Sequence, residues 1–215
     1  MDIPINFLQH YLRDVYFFSG TACGGKTTIS RAFAEKHGFQ WLSEDVINDK
    51  YQALAKPEYQ PAQYDCPSDW TEYFLRPVDE YNRWLTRISE EQAPLILLEA
   101  IRLSAVKPVA VDCAASLHMI LDICPPDRVV FLVTDAERSA RENLGRPDHQ
   151  ELNSFVESLP RADEIKENIR KLFIYGNAQS LDEIQRSGRF YIMRDDNSSI
   201  EQTLLTVEKH FGLII

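Results

Sequence analysis

Residues Val15–Ile29 read VYFFSGTACGGKTTI. A short β-branched and aromatic run, Val15–Ser19, is followed by Gly20-Thr21-Ala22-Cys23-Gly24-Gly25-Lys26-Thr27, which satisfies G-x-x-x-x-G-K-[ST]. A helical pattern then runs to Gly38, burying Ile29 and Phe33; a glycine there suits a left-handed C-terminal cap. Strand, glycine loop and helix in that order form a cradle for phosphate. The glycines let the backbone turn tightly with its N–H groups inward. The helix adds its positive N-terminal end. Lys26 can reach the β- and γ-phosphates of a nucleoside triphosphate, and Thr27 can offer its hydroxyl to Mg²⁺. Gly20, Thr21, Ala22, Cys23, Gly24, Gly25, Lys26, Thr27 and Thr28 are the candidate nucleotide-binding residues of this Walker A motif.

Working outward, four more short apolar runs follow: Phe39–Leu42, Leu95–Leu98, Val129–Val133 and Phe190–Met193. They show little polar alternation, as expected of strands buried on both faces of a parallel sheet. Helical patterns separate them, so the spacing predicts an α/β fold with five parallel strands flanked by helices. Ser198 followed by Glu201 predicts a capping box ahead of a last helix with apolar positions Ile200, Leu204, Val207 and Phe211. Residues 1–14 predict a short leading helix through Phe7, Leu8, Tyr11 and Leu12. Residues 51–92 form a helical insertion between the second and third runs, rich in Pro and aromatics, with Tyr81, Trp84, Leu85 and Ile88 on one face. Its aromatics either build a small core of their own or offer a stacking wall to a ring-bearing substrate. The expected organisation is one domain over residues 1–215.

Composition narrows the setting. The chain has 215 residues, 44% apolar and 26% charged, ordinary values for a globular protein. A net charge of -10 disfavours a general nucleic-acid binder, which needs a basic face. No apolar run approaches membrane-spanning length, and the first residues carry Asp2, Asn6, Gln9 and His10 rather than a signal peptide. Cys23, Cys66, Cys113 and Cys124 lack metal-ligand spacing and read as free thiols in a reducing cytoplasm.

With the phosphate loop after the first of five strands, the chain resembles the P-loop kinases of small molecules, a group that includes nucleoside monophosphate kinases, shikimate and gluconate kinases and chloramphenicol phosphotransferase. The resemblance implies a P-loop NTPase fold and ligands beyond the carboxyl ends of the strands. It assigns roles to three further segments. After the second run, Asp45 of Ser43-Glu44-Asp45 becomes the candidate base for an acceptor hydroxyl; it can equally be a first-turn carboxylate satisfied by a helix dipole. After the third, Glu99 becomes the candidate ligand for Mg²⁺ or the attacking group, with Arg102 placed to grip an acceptor. After the fourth, residues 135–160 resemble a lid, in which Arg138, Arg141 and Arg146 would neutralise the transferring phosphoryl group; the alternative is a solvated helix pairing Glu137 and Glu142 with its own arginines. The family binds adenine near the turn after the last strand, here 194–197.

The expectation is therefore an ATP- and Mg²⁺-dependent kinase of a small molecule, with a hydroxyl acceptor favoured and no nucleic-acid or membrane partner. A nucleoside monophosphate kinase, a nucleotide-binding regulatory protein and a slow NTP hydrolase remain the alternatives. A GTPase is disfavoured, since no Asn-Lys-x-Asp base-reading segment occurs.

Overall fold

The computed structural model describes residues 3–65, 67–114, 116–143, 145–146, 149–195, 197 and 199–214. Five parallel strands, β1 (Val15–Ser19), β2 (Gln40–Ser43), β3 (Val109–Asp112), β4 (Val129–Val133) and β5 (Tyr191–Met193), form one sheet in the order β2-β3-β1-β4-β5. The central strands are buried on both faces, which is why their sequences run apolar without a break.

Alternate residues divide between two cores. Val15 and Phe17 of β1, Val109 and Val111 of β3, and Phe131 of β4 face one side. There they meet Ala93, Ile96, Leu97 and Ala100 of α6 (Val78–Ser104) and Ile120 of α7 (Leu117–Ile123). Tyr16, Phe18, Ala110 and Leu132 face the other side, against Ile29 and Phe33 of α2 (Lys26–His37) and Val207 of α11 (Ile200–His210). Helix α2 ends at Gly38 as expected, with φ 64°, and Phe39 N–H closes back onto Ala34 O at 2.9 Å.

The third strand is not where its apolar run suggested. Leu95–Leu98 lies inside α6, and the strand is Val109–Asp112. A short apolar run cannot tell a buried strand from a buried helix. Here the buried positions 93, 96, 97 and 100 recur at helical spacing, while Leu98 is 62% exposed. Pro94 sits within that helix and removes a donor from it. Burial of the neighbouring side chains against the sheet holds the helix together regardless. Other boundaries also move by a residue: β2 is Gln40–Ser43, β5 begins at Tyr191, and the capping box before α11 is Ser199 with Gln202. Ser198 lies outside the described residues.

The connection between β2 and β3 consequently spans α3 (Glu44–Leu54), α4 (Pro61–Tyr64), α5 (Trp70–Phe74) and α6. Its aromatics form a third core: Phe74 and Tyr81 pack with Val156 of α9 (Gln150–Ser158) and Ile165, Ile169 and Leu172 of α10 (Ala162–Arg186). The Arg76 guanidinium sits 4.4 Å from the ring centres of both Tyr81 and Trp84 and 4.5 Å from that of Tyr73. The leading helix is α1 (Ile5–Tyr11), and α8 (Ala136–Asn143) follows β4. Among the described residues no helix is long and apolar enough to cross a membrane.

Candidate active site

Strand β1 delivers the chain into the phosphate loop, and α2 begins at Lys26. The loop is shaped by residues that take left-handed backbone: Gly20 at φ 123°, Cys23 at 59° and Gly25 at 97°. Gly20 and Gly24 also lie against β4, where a Cβ on either would come within 2.1 Å of Leu132 O. Side chains from distant elements pin the loop. Thr21 Oγ1 accepts from Thr134 N–H at 2.8 Å. Ala22 N–H donates to Asn177 Oδ1 at 3.1 Å, and Ala22 O accepts from Ser139 Oγ at 3.0 Å. Asn177 Nδ2 in turn donates to Ser139 Oγ, so α8, α10 and the loop share one hydrogen-bonded cluster. Arg194, after β5, donates from Nη1 to Cys23 O at 2.6 Å and to Glu142 at 2.7 Å.

The loop closes one side of a cavity of about 890 Å³ beyond the carboxyl ends of β1, β3 and β4. This is the point where strand order departs in both directions from β1, the usual place for a ligand in such sheets. Residues 22–29, Ser43, Glu44, Asp45, Asp112, Ala114, Asn143, Arg146, His149, Phe173, Arg194, Asp195, Ile200 and Thr203 are among those lining it.

Charge in the cavity is concentrated around Lys26. Its Nζ donates to Thr21 O at 2.8 Å and Gly20 O at 3.3 Å. Burial pushes the Lys26 ammonium down from its ordinary value, against the fields of Asp112 and Glu44. Burial pushes the Asp112 carboxyl up, opposed by a hydrogen bond from Thr27 and by Lys26. Glu44 is likewise raised by burial, opposed by the Ala114 N–H it accepts at 2.6 Å and by Lys26. Asp45 stands exposed at the first turn of α3, where Ser43 Oγ accepts its backbone N–H at 3.3 Å. A carboxylate at a strand end bonded to the loop threonine is an oxygen-rich arrangement suited to Mg²⁺. Among the described residues no three His, Cys, Asp or Glu side chains cluster as a metal site. Mg²⁺ commonly takes one or two protein ligands, with phosphates and water supplying the rest.

The other residues singled out in the sequence divide. Glu99 does not end a strand: it lies in α6, is 8% exposed, is paired with Lys50 and with Arg102 Nη2 at 2.8 Å, and does not line the cavity. Its carboxyl is held below its ordinary value by those two hydrogen bonds. The misplaced strand carried Glu99 and Arg102 to the wrong end of the sheet; Asp112 occupies the position expected of Glu99. Of the three arginines, Arg146 lines the cavity and lowers the Asp112 carboxyl through its field. Arg138 donates from Nε to Glu142 at 2.8 Å, and Arg141 is exposed outside the cavity lining. Part of the lid segment, residues 144, 147 and 148, lies outside the described residues. The turn after β5 contributes Arg194 and Asp195 to the lining. None of the insertion's aromatics lines the cavity among the described residues.

Asp112 and Asn177 entered the site from the structure, which also gave definite partners to Glu44, Ser139 and Arg194, residues of segments already singled out in the sequence. Asp112 had a signal, a carboxylate closing the β-branched run Val109-Ala110-Val111. Asn177 had none, since its partner Ala22 is 155 positions away.

No family model matches this chain, and no curated protein matches it. Among solved structures it is similar to shikimate kinase from Acinetobacter baumannii in complex with shikimate, with a TM-score of 0.46, 16% identity, and coverage of 98% of this chain and 96% of that one.

Proposed function

We propose that this protein is an ATP- and Mg²⁺-dependent phosphotransferase that moves the γ-phosphoryl group onto a hydroxyl of a small molecule. The observation that carries the reading is the buried strand-end carboxylate of Asp112 lining one cavity with Thr27 and Lys26, at the mouth of a left-handed glycine loop. The loop amides and Lys26 would hold the triphosphate, and Thr27 with Asp112 would hold Mg²⁺. The bound ion would supply charge neutralisation on the phosphate oxygens. The turn after β5, with Arg194 and Asp195 in the cavity lining, would flank the base.

Transfer rather than binding alone is supported by the carboxylates on the wall formed by the start of α3, Glu44 and Asp45. In the step proposed, the acceptor oxygen bonds to the γ-phosphorus as the bridging bond to the β-phosphate breaks, and ADP departs. Asp45, exposed at the cavity wall, takes the hydroxyl proton. Arg146 and Lys26 neutralise charge on the transferring group, so most of the acceleration comes from positioning and electrostatics. The closing of residues 135–160 over the nucleotide belongs to the same proposal, with Arg146 as its acting arginine and Arg138 anchored to Glu142.

The test compares Asp112→Asn with Asp45→Asn in an ADP-release assay. Asp112→Asn is expected to weaken MgATP binding, and Asp45→Asn to lower acceptor-dependent turnover while MgATP still binds. Phosphate release from ATP alone, undiminished by every acceptor, would instead identify a hydrolase.

A further inference from the structure

The cavity wall at the start of α3 carries two carboxylates, Glu44 and Asp45. Resting on the phosphotransferase reading above, we infer that the acceptor is a hydroxyl compound without carboxylate or phosphate groups: a neutral polyol or a protonated amino alcohol.

Three described cationic side chains, Lys26, Arg146 and Arg194, line the cavity alongside His149. Lys26 lies on the phosphate loop itself, bonded to its carbonyls. Arg194 is bonded to Cys23 O and Glu142. Arg146 acts on Asp112, the carboxylate beneath the loop. On the reading above, each serves the nucleotide's phosphates. The cation that the sequence offered for gripping an acceptor anion, Arg102, is outside the cavity and bonded to Glu99.

The opposite wall is acidic. Glu44 is fixed there by a neutral partner, the Ala114 N–H, and Asp45 stands exposed beside it. A backbone amide orients a carboxylate but does not cancel its charge. Burial raises the Glu44 carboxyl by more than that amide and the field of Lys26 lower it, the response of a group whose negative form lacks full compensation. A phosphate or carboxylate brought against this wall meets like charge in a partly desolvated site, which strongly disfavours it. An ammonium supplies the missing counter-charge, and hydroxyls can donate to both acids.

The experiment screens the full chain with MgATP for ADP release against three matched groups: neutral (glucose, inositol), amino (glucosamine, ethanolamine) and anionic (gluconate, shikimate, glucose 6-phosphate, AMP). The expected result is turnover in the neutral or amino group with kcat/KM at least about 10-fold above any anionic compound. For an amino acceptor, Glu44→Gln is expected to raise its KM about 10-fold while the KM for ATP changes less than about 3-fold. Preferred turnover of an anionic acceptor overturns the inference. So does absence of turnover in all three groups while MgATP still raises the melting temperature, which leaves the nucleotide site standing. No melting response to MgATP overturns the inference together with the reading beneath it.

Discussion

Replacing Gly24 with alanine separates the packing of the phosphate loop from its chemistry. A Cβ there would lie 2.1 Å from Leu132 O and 2.7 Å from Leu132 C. Both atoms belong to the backbone of a central strand and cannot swing aside. The loop would have to retreat by about 1.3 Å to reach the 3.4 Å at which ordinary contact begins. Overpacking of that kind costs about 1–3 kcal/mol of stability. A 1 Å misplacement of a positioning group costs on the order of 100-fold in rate. Gly188→Ala is the matched control: φ is 66° and nothing lies within 4 Å, so it carries only the left-handed backbone penalty. That penalty is about 1–2 kcal/mol. Urea denaturation and calorimetric titration with MgATP would be run on both variants. Both should lose stability, and Gly24→Ala alone should weaken MgATP by at least about 10-fold, or about 1.4 kcal/mol. Wild-type MgATP affinity in Gly24→Ala would refute the claim that this close approach to β4 shapes the nucleotide site.

Three further outcomes are expected. Asn177→Ala removes the acceptor for Ala22 N–H and the donor to Ser139, and should raise the KM for ATP about 10-fold with little change in the KM of the acceptor. Steady-state kinetics with each substrate varied checks this. Glu99→Gln removes the charge from a buried carboxylate whose partners Lys50 and Arg102 are exposed, and should cost about 1 kcal/mol by denaturation while leaving MgATP affinity unchanged. Glu208, 1% exposed, accepts from Lys36 at 2.8 Å and lies 2.7 Å from His37 Nε2, tying α11 to α2. Burial pushes its carboxyl up, and the hydrogen bonds and fields of Lys36 and His37 together more than reverse this, leaving it below the ordinary value. A depressed carboxyl contributes stability above its unfolded pKa and loses it as pH falls through the folded one. Glu208→Gln should therefore destabilise at pH 7 by about 1–3 kcal/mol, and its melting temperature should fall less steeply than that of the wild type on acidification below pH 5.

What could be read from sequence followed from how local the physics is. The loop, its strand and its helix are contiguous, so Gly20, Gly25 and Lys26 could be placed from spacing alone, and Val129–Val133 could be recognised as a strand buried on both faces. Leu95–Leu98 misled because four apolar residues satisfy either period; the wider pattern of Ala93, Ile96, Leu97 and Ala100 was helical. That error displaced Glu99 and concealed Asp112, whose strand is only four residues long and contains an alanine. The choice between Arg138, Arg141 and Arg146 depended on tertiary placement: Arg138 and Arg141 lie in α8, which packs on α10, while Arg146 follows it at the cavity, and no local signal encodes this. The aromatics of the insertion stayed ambiguous for the same reason, until Phe74, Tyr81 and their partners on α9 and α10 came together as one core.

The central claim is that Lys26 and its loop hold a nucleoside triphosphate, and calorimetric titration of MgATP into the wild type and Lys26→Ala tests it directly. The account predicts saturable one-to-one binding to the wild type, weakened at least about 100-fold in Lys26→Ala, with both proteins melting within a few degrees of each other without nucleotide. Equal affinity in the two proteins, or no binding of any nucleoside triphosphate with or without Mg²⁺, would contradict it.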